Sequence, residues 1–252
     1  MYPQHPQYPP YQDAYGHGPY KYHPNVTVSL RREEVWQCFL AQTTEMIVSR
    51  PGRKLFPKIA VDIQGLQPDL DYKISLHFIR SDPYKWRYDG QWTPVGEEEE
   101  VEGASGKIIH FHSGKKGMDW MSDGAEFDDF ILTNNPEFNK GNSVFLQSQH
   151  AYVPHVVIEQ VTTNNCGTYR LHAVQCAPLF SCRFIAVTAY QNDEIKKLKV
   201  THNPFARGSR SVHNNVEPRK RAKEEADDEV DVKRARETPP QDLPPPPPVL
   251  PP

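Results

Sequence analysis

The chain has 252 residues, 37% of them hydrophobic, and a formal net charge of −3 at pH 7. The negative charge argues against a strongly cationic nucleic-acid-binding protein, and no apolar run approaches the roughly 20 residues that cross a bilayer. The four cysteines form no Cys-x-x-Cys pair, so neither a zinc site nor a disulfide framework is predicted. The proline-rich N-terminus lacks the apolar core of a signal peptide, and we expect an intracellular protein with reduced thiols.

Composition divides the chain into three parts. Residues 1–25 contain six Pro and six Tyr, and residues 211–252 contain ten Pro beside a mixed-charge block. Both segments lack the apolar side chains that offset chain entropy, so we predict disorder for each. Residues 26–210 are long enough for one domain with a sizeable core. This part holds 21 Lys and Arg against 22 Asp and Glu, but its bases gather in 50–58 and 196–210, which allows one positive face.

Most of the predicted elements in this domain are strands. A helix is predicted over 31–40, and alternating apolar residues then predict short strands separated by Gly, Asn and Pro turns. These strands cover 59–64, 72–79, 107–112, 127–132, 143–148, 155–161, 168–174 and 180–188. Many short strands with few helices are typical of an all-β fold, either a β-sandwich or a partly closed barrel.

The stretch 184–205, FIAVTAYQNDEIKKLKVTHNPF, combines a buried strand with a short cationic helix predicted over 193–199. Asn192 is a suitable N-cap, and the helix dipole favours the two acidic residues that follow it. Since Ile195 and Leu198 share one face, we expect a positive rim on the rest of the helix, formed by Lys196, Lys197 and Lys199. A cationic helix that ends in an Asn-Pro-Phe turn suggests nucleic-acid binding.

Four motifs in order make the chain similar to the T-box transcription factors. The run FIAVTAYQN with the following NPFA is one, and the others are EMIVSRPGRKLFP (45–57), YKWRYDGQW (84–92) and ILTNN (131–135). The resemblance covers roughly residues 26–210 and implies an immunoglobulin-like β-sandwich that binds double-stranded DNA. That fold agrees with the strand pattern.

The resemblance also implies which residues contact DNA. Arg53, followed by Lys54, matches the arginine that reads a guanine in the major groove, a pairing worth about 1–3 kcal/mol of discrimination. Phe205, preceded by Asn203 and Pro204, matches an aromatic that enters the minor groove. The bases that match positions beside the phosphate backbone are Lys199, Arg207 and Arg210. Without the resemblance, the preferred interpretation of each of these residues is a solvated charge or a packed aromatic.

The chain departs from the family pattern at several positions, and most of the departures remove positive charge. Ser209 stands where the family has a second aromatic after NPFA, so a weaker minor-groove fit is expected. Ala151 and His155 replace basic residues, and Asp119 replaces a histidine. The resemblance therefore indicates a divergent member with altered affinity.

Other constellations favour packing over chemistry. Trp86, Tyr88 and Trp92 have the composition of a platform for stacking single-stranded bases, but core and loop packing is the preferred interpretation. His110 and His112 share a strand face without a third ligand of suitable spacing, so no metal site is predicted. No nucleophile elbow, phosphate loop or carboxylate pair stands out, and we expect neither an enzyme nor a bound cofactor.

The C-terminal segment carries two basic clusters on either side of an acidic spacer, as in a bipartite nuclear-import signal. They are Arg219, Lys220, Arg221 and Lys223, then Lys233, Arg234 and Arg236. The Pro244–Pro248 run favours polyproline II, either as a dock for co-regulators or as a stiff spacer.

The sequence therefore predicts a nuclear, sequence-specific regulator of transcription, and the resemblance suggests a developmental role and a TCACACC-like half-site. We expect a monomer in solution, with pairing on adjacent DNA sites left open. One alternative is a T-box fold with weakened DNA binding that acts through protein partners. A second alternative, an extracellular immunoglobulin-like domain, requires a signal peptide and an inter-sheet disulfide.

Overall fold

A computed structural model of the chain describes residues 23–101, 107–138, 142–164 and 166–203. The segments 1–25 and 211–252, for which disorder is predicted, lie almost entirely outside these residues, and that prediction stays untested.

The described residues form thirteen β-strands, three α-helices and one 3-10 helix. In chain order the strands are β1 (Thr27–Leu30), β2 (Glu45–Ile47), β3 (Ile59–Gln64), β4 (Asp71–Arg80), β5 (Tyr84–Tyr88), β6 (Trp92–Glu97), β7 (Lys107–Lys116), β8 (Ala125–Phe127), β9 (Ile131–Thr133), β10 (Ser143–Phe145), β11 (Ala151–Thr163), β12 (Tyr169–Pro178) and β13 (Phe184–Val187). The helices are α1 (Glu33–Leu40), α2 (Gly117–Asp123) and α3 (Asp193–His202), and the 3-10 helix spans Phe180–Cys182. None of these helices has the length and apolar character needed to cross a membrane.

Strand β11 is the centre of the larger, six-stranded sheet. One edge of β11 pairs antiparallel with β4, which in turn pairs with β7, and the other edge pairs with β12 and β13. Strand β2 then pairs parallel to β13. A second sheet has the order β1-β3-β8, and two smaller pairs, β5-β6 and β9-β10, complete the strands.

The two main sheets enclose one apolar core. Alternate residues of β3 are fully buried, as are alternate residues of β4, and all of them belong to a single cluster: Ile59, Val61, Ile63, Ile74, Leu76 and Phe78. The period-two pattern that predicted these strands is confirmed, since the other face of β3 is more exposed. The fold is the predicted all-β, immunoglobulin-like sandwich.

Several predicted element boundaries are wrong. The strand predicted over 127–132 is split into β8 and β9, and Asp128 in the gap pairs instead with Lys58 at 2.7 Å. The strand predicted over 180–188 begins with the 3-10 helix and becomes extended only at Phe184. Helix α1 starts at Glu33 because Arg32 adopts a left-handed backbone, with φ of 54°.

Helix α2 was not predicted from the sequence. Its seven residues bury only one large side chain, Trp120, so no helical periodicity marks it. Trp120 is buried and its Nε1 donates to the Tyr72 carbonyl oxygen at 3.0 Å, which fixes the helix to β4. A single anchored tryptophan thus replaces the amphipathic stripe by which sequence reasoning finds helices.

Phe78 gives a direct test of the core. Its ring is fully buried and lies 5.6 Å from the ring of Phe130 and 5.9 Å from that of Phe184. Phe78→Ala should lower the free energy of unfolding by about 3–5 kcal/mol, measured by urea denaturation, because it leaves a cavity in the core. Phe180→Ala is the matched control, since Phe180 is 46% exposed and its loss should have a much smaller effect. Equal losses in the two variants would contradict this description of the core.

Candidate nucleic-acid interface

The loop that carries Arg53 is fixed to the core through its backbone. Arg53 N donates to Leu132 O at 2.9 Å, and Leu132 N donates to Arg53 O at 2.8 Å. Leu132 lies in β9 and is fully buried, whereas the Arg53 side chain is exposed. An exposed guanidinium on an anchored backbone loses little backbone freedom when it binds a ligand.

A close approach between Gly52 and β9 explains how the loop packs. Gly52 has φ of +83°, and an alanine Cβ at this position would lie 2.4 Å from Ile131 Cδ1. Thr133 Oγ1 also donates to Arg50 O at 3.3 Å. The motif ILTNN, to which sequence reasoning gave no role of its own, therefore supports the loop that presents Arg53.

A buried carboxylate holds the start of α3. Glu45 is 0% exposed, and its oxygens accept hydrogen bonds from Gln191 N at 2.8 Å, Asn192 N at 3.0 Å and Trp92 Nε1 at 2.9 Å. Sequence reasoning missed Glu45, because the donors that satisfy it lie about 47 and 147 residues away in sequence.

The predicted N-cap of α3 is confirmed. Asn192 Oδ1 accepts a hydrogen bond from Glu194 N at 2.9 Å, while its Nδ2 donates to Gln42 O at 2.9 Å. This side chain therefore caps the helix and ties it to the turn that follows α1.

The tryptophans of the predicted aromatic cluster pack rather than stack on a ligand. Trp86 Nε1 donates to Asp82 Oδ1 at 2.9 Å, and the guanidinium of Arg183 lies 5.2 Å from the Trp86 ring centre. Trp92 is held by Glu45, and both tryptophans pack against one small apolar cluster. The packing interpretation is confirmed for these two side chains.

The exposed face of α3 carries fewer free charges than predicted. Lys196 and Lys197 are exposed, but their ammonium groups pair with Asp193 at 2.8 Å and Glu194 at 2.6 Å. Exposed pairs of this kind contribute little to stability, so a phosphate can displace the carboxylates. In the absence of such an anion, these two ion pairs leave the exposed face of α3 with little net charge.

Lys199 does not belong to this rim, and the prediction that it is exposed there is wrong, whereas its contact with the phosphate backbone stays a prediction. The residue is only 7% exposed, because it lies four positions after the buried Ile195 and on the same face. Its Nζ donates to the Phe56 carbonyl oxygen and lies 3.2 Å from Met46 Sδ. Burial lowers the pKa of Lys199 to about 7.

Four exposed or half-buried polar residues meet around one concavity, which we call the α3 cleft. The cleft has a volume of about 410 Å³ and lies between the Arg53 loop and α3. The lining contains these four, Arg53, Lys54, Lys196 and Asn203, together with the half-buried Tyr190 and the buried Lys199. Asn203 N donates to Lys199 O at 2.9 Å and ends the helix there. The structure thus brings together four of the predicted contact residues, Arg53, Lys54, Asn203 and the buried Lys199.

The other predicted contacts, Pro204, Phe205, Arg207 and Arg210, lie outside the described residues, as do both import clusters.

Two departures from the family pattern fall inside the sandwich. Ala151 is fully buried opposite Ile185, and burial lowers the pKa of His155 to about 4. Neither position therefore supplies a positive charge at neutral pH.

Comparison with known proteins adds an independent finding. A family model described as T-box matches residues 28–211. T-box transcription factor T of Xenopus laevis is 39% identical over 183 residues, which are 72% of this chain and 40% of that protein. T-box protein 37 of Caenorhabditis elegans is 36% identical over 189 residues, 74% of this chain and 59% of that protein. T-box brain protein 1 of Mus musculus is 36% identical over 193 residues, 75% of this chain and 28% of that protein. The chain thus matches less than two thirds of the length of each relative.

The packing of the Arg53 loop can be tested with Gly52→Ala. The variant combines an unfavourable positive φ with the contact to Ile131 and should lose about 1–3 kcal/mol of stability. Gly90→Ala is the matched control, since Gly90 also has positive φ (+73°) but no atom within 4 Å of an added Cβ. Urea denaturation of both variants separates the two effects. A loss at Gly52 no larger than the loss at Gly90 would show that the contact with β9 is unimportant.

The buried Lys199 predicts an unusual pH dependence. Because its pKa falls from 10.5 to about 7 in the folded chain, only the unfolded chain binds a proton between these values. The free energy of unfolding should therefore rise with pH, by about 1–2 kcal/mol between roughly pH 7 and 8.5. Urea denaturation across this range should detect the rise, and Lys199→Met should flatten it. A flat or falling profile for the unaltered chain would contradict the burial of this ammonium.

Proposed function

We propose that this chain, which belongs to the T-box family, is a sequence-specific regulator of transcription that binds double-stranded DNA in the nucleus. The observation that carries the proposal is the α3 cleft, in which a rigidly mounted, exposed Arg53 faces the same space as Lys54 and the C-terminal end of α3. Several of the related proteins bear the name transcription factor, which agrees with this assignment. No catalytic step is part of the proposal.

In this proposal Arg53 reads base edges. Its guanidinium has the geometry to donate two hydrogen bonds to O6 and N7 of a guanine in the major groove. Its backbone is bonded to β9 on the core side, so the side chain can extend away from the sandwich without deforming the loop. A TCACACC-like half-site supplies such guanines on its complementary strand.

The remaining contacts orient the domain on the duplex. Lys54 and Lys196 lie at the α3 cleft and would approach phosphates, which fix register without reading sequence. The chain leaving Asn203 would place Phe205 in the minor groove, with Arg207 and Arg210 beside the backbone. Ser209 removes the second aromatic of the family pattern, so the minor-groove contribution depends on Phe205 alone.

We also propose that the two basic clusters after residue 218 direct nuclear import and that the Pro244–Pro248 run docks co-regulators. These parts of the proposal rest on composition. A monomer in solution and a developmental role complete the proposal, the second following the family.

One observation favours a second candidate function, an interaction module with weak DNA affinity. Both exposed lysines of α3 are already paired with carboxylates of the same helix, which lowers the positive charge of the face. The two candidates differ in whether the chain selects a particular duplex sequence.

Selection from a randomised duplex pool by the full chain, at about 0.1–0.15 M salt, tests the proposed function. A TCACACC-like sequence should be enriched, and Arg53→Ala should weaken its binding by roughly 5- to 150-fold, with the loss of preference centred on one guanine. Arg87→Ala is the matched control, because this exposed arginine of β5 does not line the α3 cleft and its loss should leave the preferred sequence unchanged. A folded chain that enriches no sequence would overturn the direct reader and favour the interaction module.

A further inference from the structure

The amino group of Lys199 is surrounded by three aromatic rings and a backbone carbonyl. Its Nζ lies 5.3 Å from the ring centre of Phe39, 5.9 Å from that of Phe56 and 5.4 Å from that of Tyr190. It also donates a hydrogen bond to the Phe56 carbonyl oxygen. Aromatic faces attract cations, so the three rings and the carbonyl form a cage around the charge.

The cage holds the ammonium without a direct ion pair. Within the described part of the chain no carboxylate lies within ion-pair distance of Lys199, and Glu45 acts on it only at longer range. Burying an ammonium is costly, and an apolar side chain of similar size is usually at least as stabilising in such a position. Stability alone therefore gives little reason for a lysine here.

The directional contact of Lys199 joins the two parts of the proposed interface. Phe56 lies three residues after Arg53 in the same loop, and Lys199 lies four residues before Asn203, the C-cap of α3. The Lys199–Phe56 hydrogen bond therefore connects the loop that presents Arg53 to the last turn of α3.

The hydrophobic contacts of α3 do not fix this spacing by themselves. Ile195 packs with Val35 and Phe39 in a small buried cluster, against which Leu198 and the Phe56 side chain also pack, so apolar contacts hold the helix against both α1 and the Arg53 loop. Hydrophobic contact is non-directional and tolerates small shifts of a helix along its axis. A hydrogen bond tolerates much less displacement, because its strength falls steeply with distance and angle.

We propose that Lys199 is a positioning residue for DNA recognition, which sets the distance between Arg53 and the chain that leaves α3 at Asn203. This inference rests on the proposed function. In that proposal Arg53 contacts the major groove and the residues after Asn203 contact the minor groove, so the distance between them must match one duplex. Lys199 acts through the Phe56 carbonyl and touches no DNA itself.

Lys199→Met in the full chain tests the proposal. Methionine is unbranched and adaptable, so it can fill the cage while removing the donor and the charge. Binding to the selected duplex and to a scrambled duplex is measured for each variant over a range of salt concentrations. The ratio of specific to non-specific affinity should fall about 3- to 30-fold. The salt dependence and the melting temperature should stay the same, or the melting temperature should rise.

Two further variants control this result. Lys197→Met removes the same charge from an exposed position of the same helix and should leave the affinity ratio unchanged. Lys199→Gln keeps an N–H donor for the Phe56 carbonyl and should recover part of the ratio lost in Lys199→Met.

Several outcomes overturn the proposal. An unchanged affinity ratio in Lys199→Met would show that the spacing does not depend on this contact. A salt slope reduced by about 0.9 would show that Lys199 neutralises a phosphate. A Lys199→Met chain that no longer folds would assign the residue to stability alone, and a Lys199→Gln variant no better than Lys199→Met would remove the role of the donor.

Amide hydrogen exchange of the chain without DNA separates failure of this inference from failure of the proposed function. Loss of the Lys199–Phe56 bond should accelerate exchange in residues 53–57 and 199–203 together, whether or not the chain selects a duplex. If the unaltered chain selects no sequence, the proposed DNA-binding function is wrong. The exchange rates still show whether the Lys199–Phe56 hydrogen bond couples the two segments. Unchanged exchange in both segments would overturn the link itself.

Discussion

The arrangement of the interface depends on one buried carboxylate. Glu45 accepts two backbone hydrogen bonds from the residues at the start of α3 and a third from Trp92 of β6. A buried charge is tolerated only when its hydrogen bonds are made, and the N-terminal end of a helix is the part of the backbone that favours an anion. The requirement to satisfy Glu45 therefore fixes β2, the β5-β6 hairpin and α3 relative to each other.

The three-residue strand β2 holds both ends of α3. Glu45 binds the start of the helix, and the next residue, Met46, lies 3.2 Å from the Lys199 ammonium in its last turns. Strand β2 is itself paired with β13, and the chain after β2 leads to the loop of Arg53. The Glu45 carboxylate at the N-terminal end complements the helix dipole. Strand β2 is short, but the contacts of Glu45 with Asn192 and of Met46 with Lys199 fix the position of α3 along its axis.

Local pattern was enough to predict the parts of the fold whose burial alternates along one element. The strand β3 shows this, because Ile59, Val61 and Ile63 are all buried on one face. The Asn192 cap was also predictable from local sequence, because its hydrogen bond joins residues only two positions apart.

Features that depend on distant segments were not predictable from local pattern. Lys199 is buried because Phe39, Phe56 and Tyr190 come from three other parts of the chain, and a lysine on a short helix reads as exposed without them. Glu45 is satisfied by donors about 47 and 147 residues away in sequence. Arg53 was identified through a family motif, but its anchoring to Leu132 required the folded chain. The positions of these three side chains thus depend on contacts between distant segments, which the periodicity of the sequence does not predict.

The most direct test of the shared DNA face is chemical-shift mapping of the full chain with a duplex that carries a TCACACC half-site. Amides of residues 50–54 and 193–203 should shift together at one protein-to-duplex stoichiometry, while those of β12 stay unchanged. Shifts confined to other surfaces, or movement of only one of the two segments, would contradict a single interface formed by the Arg53 loop and α3.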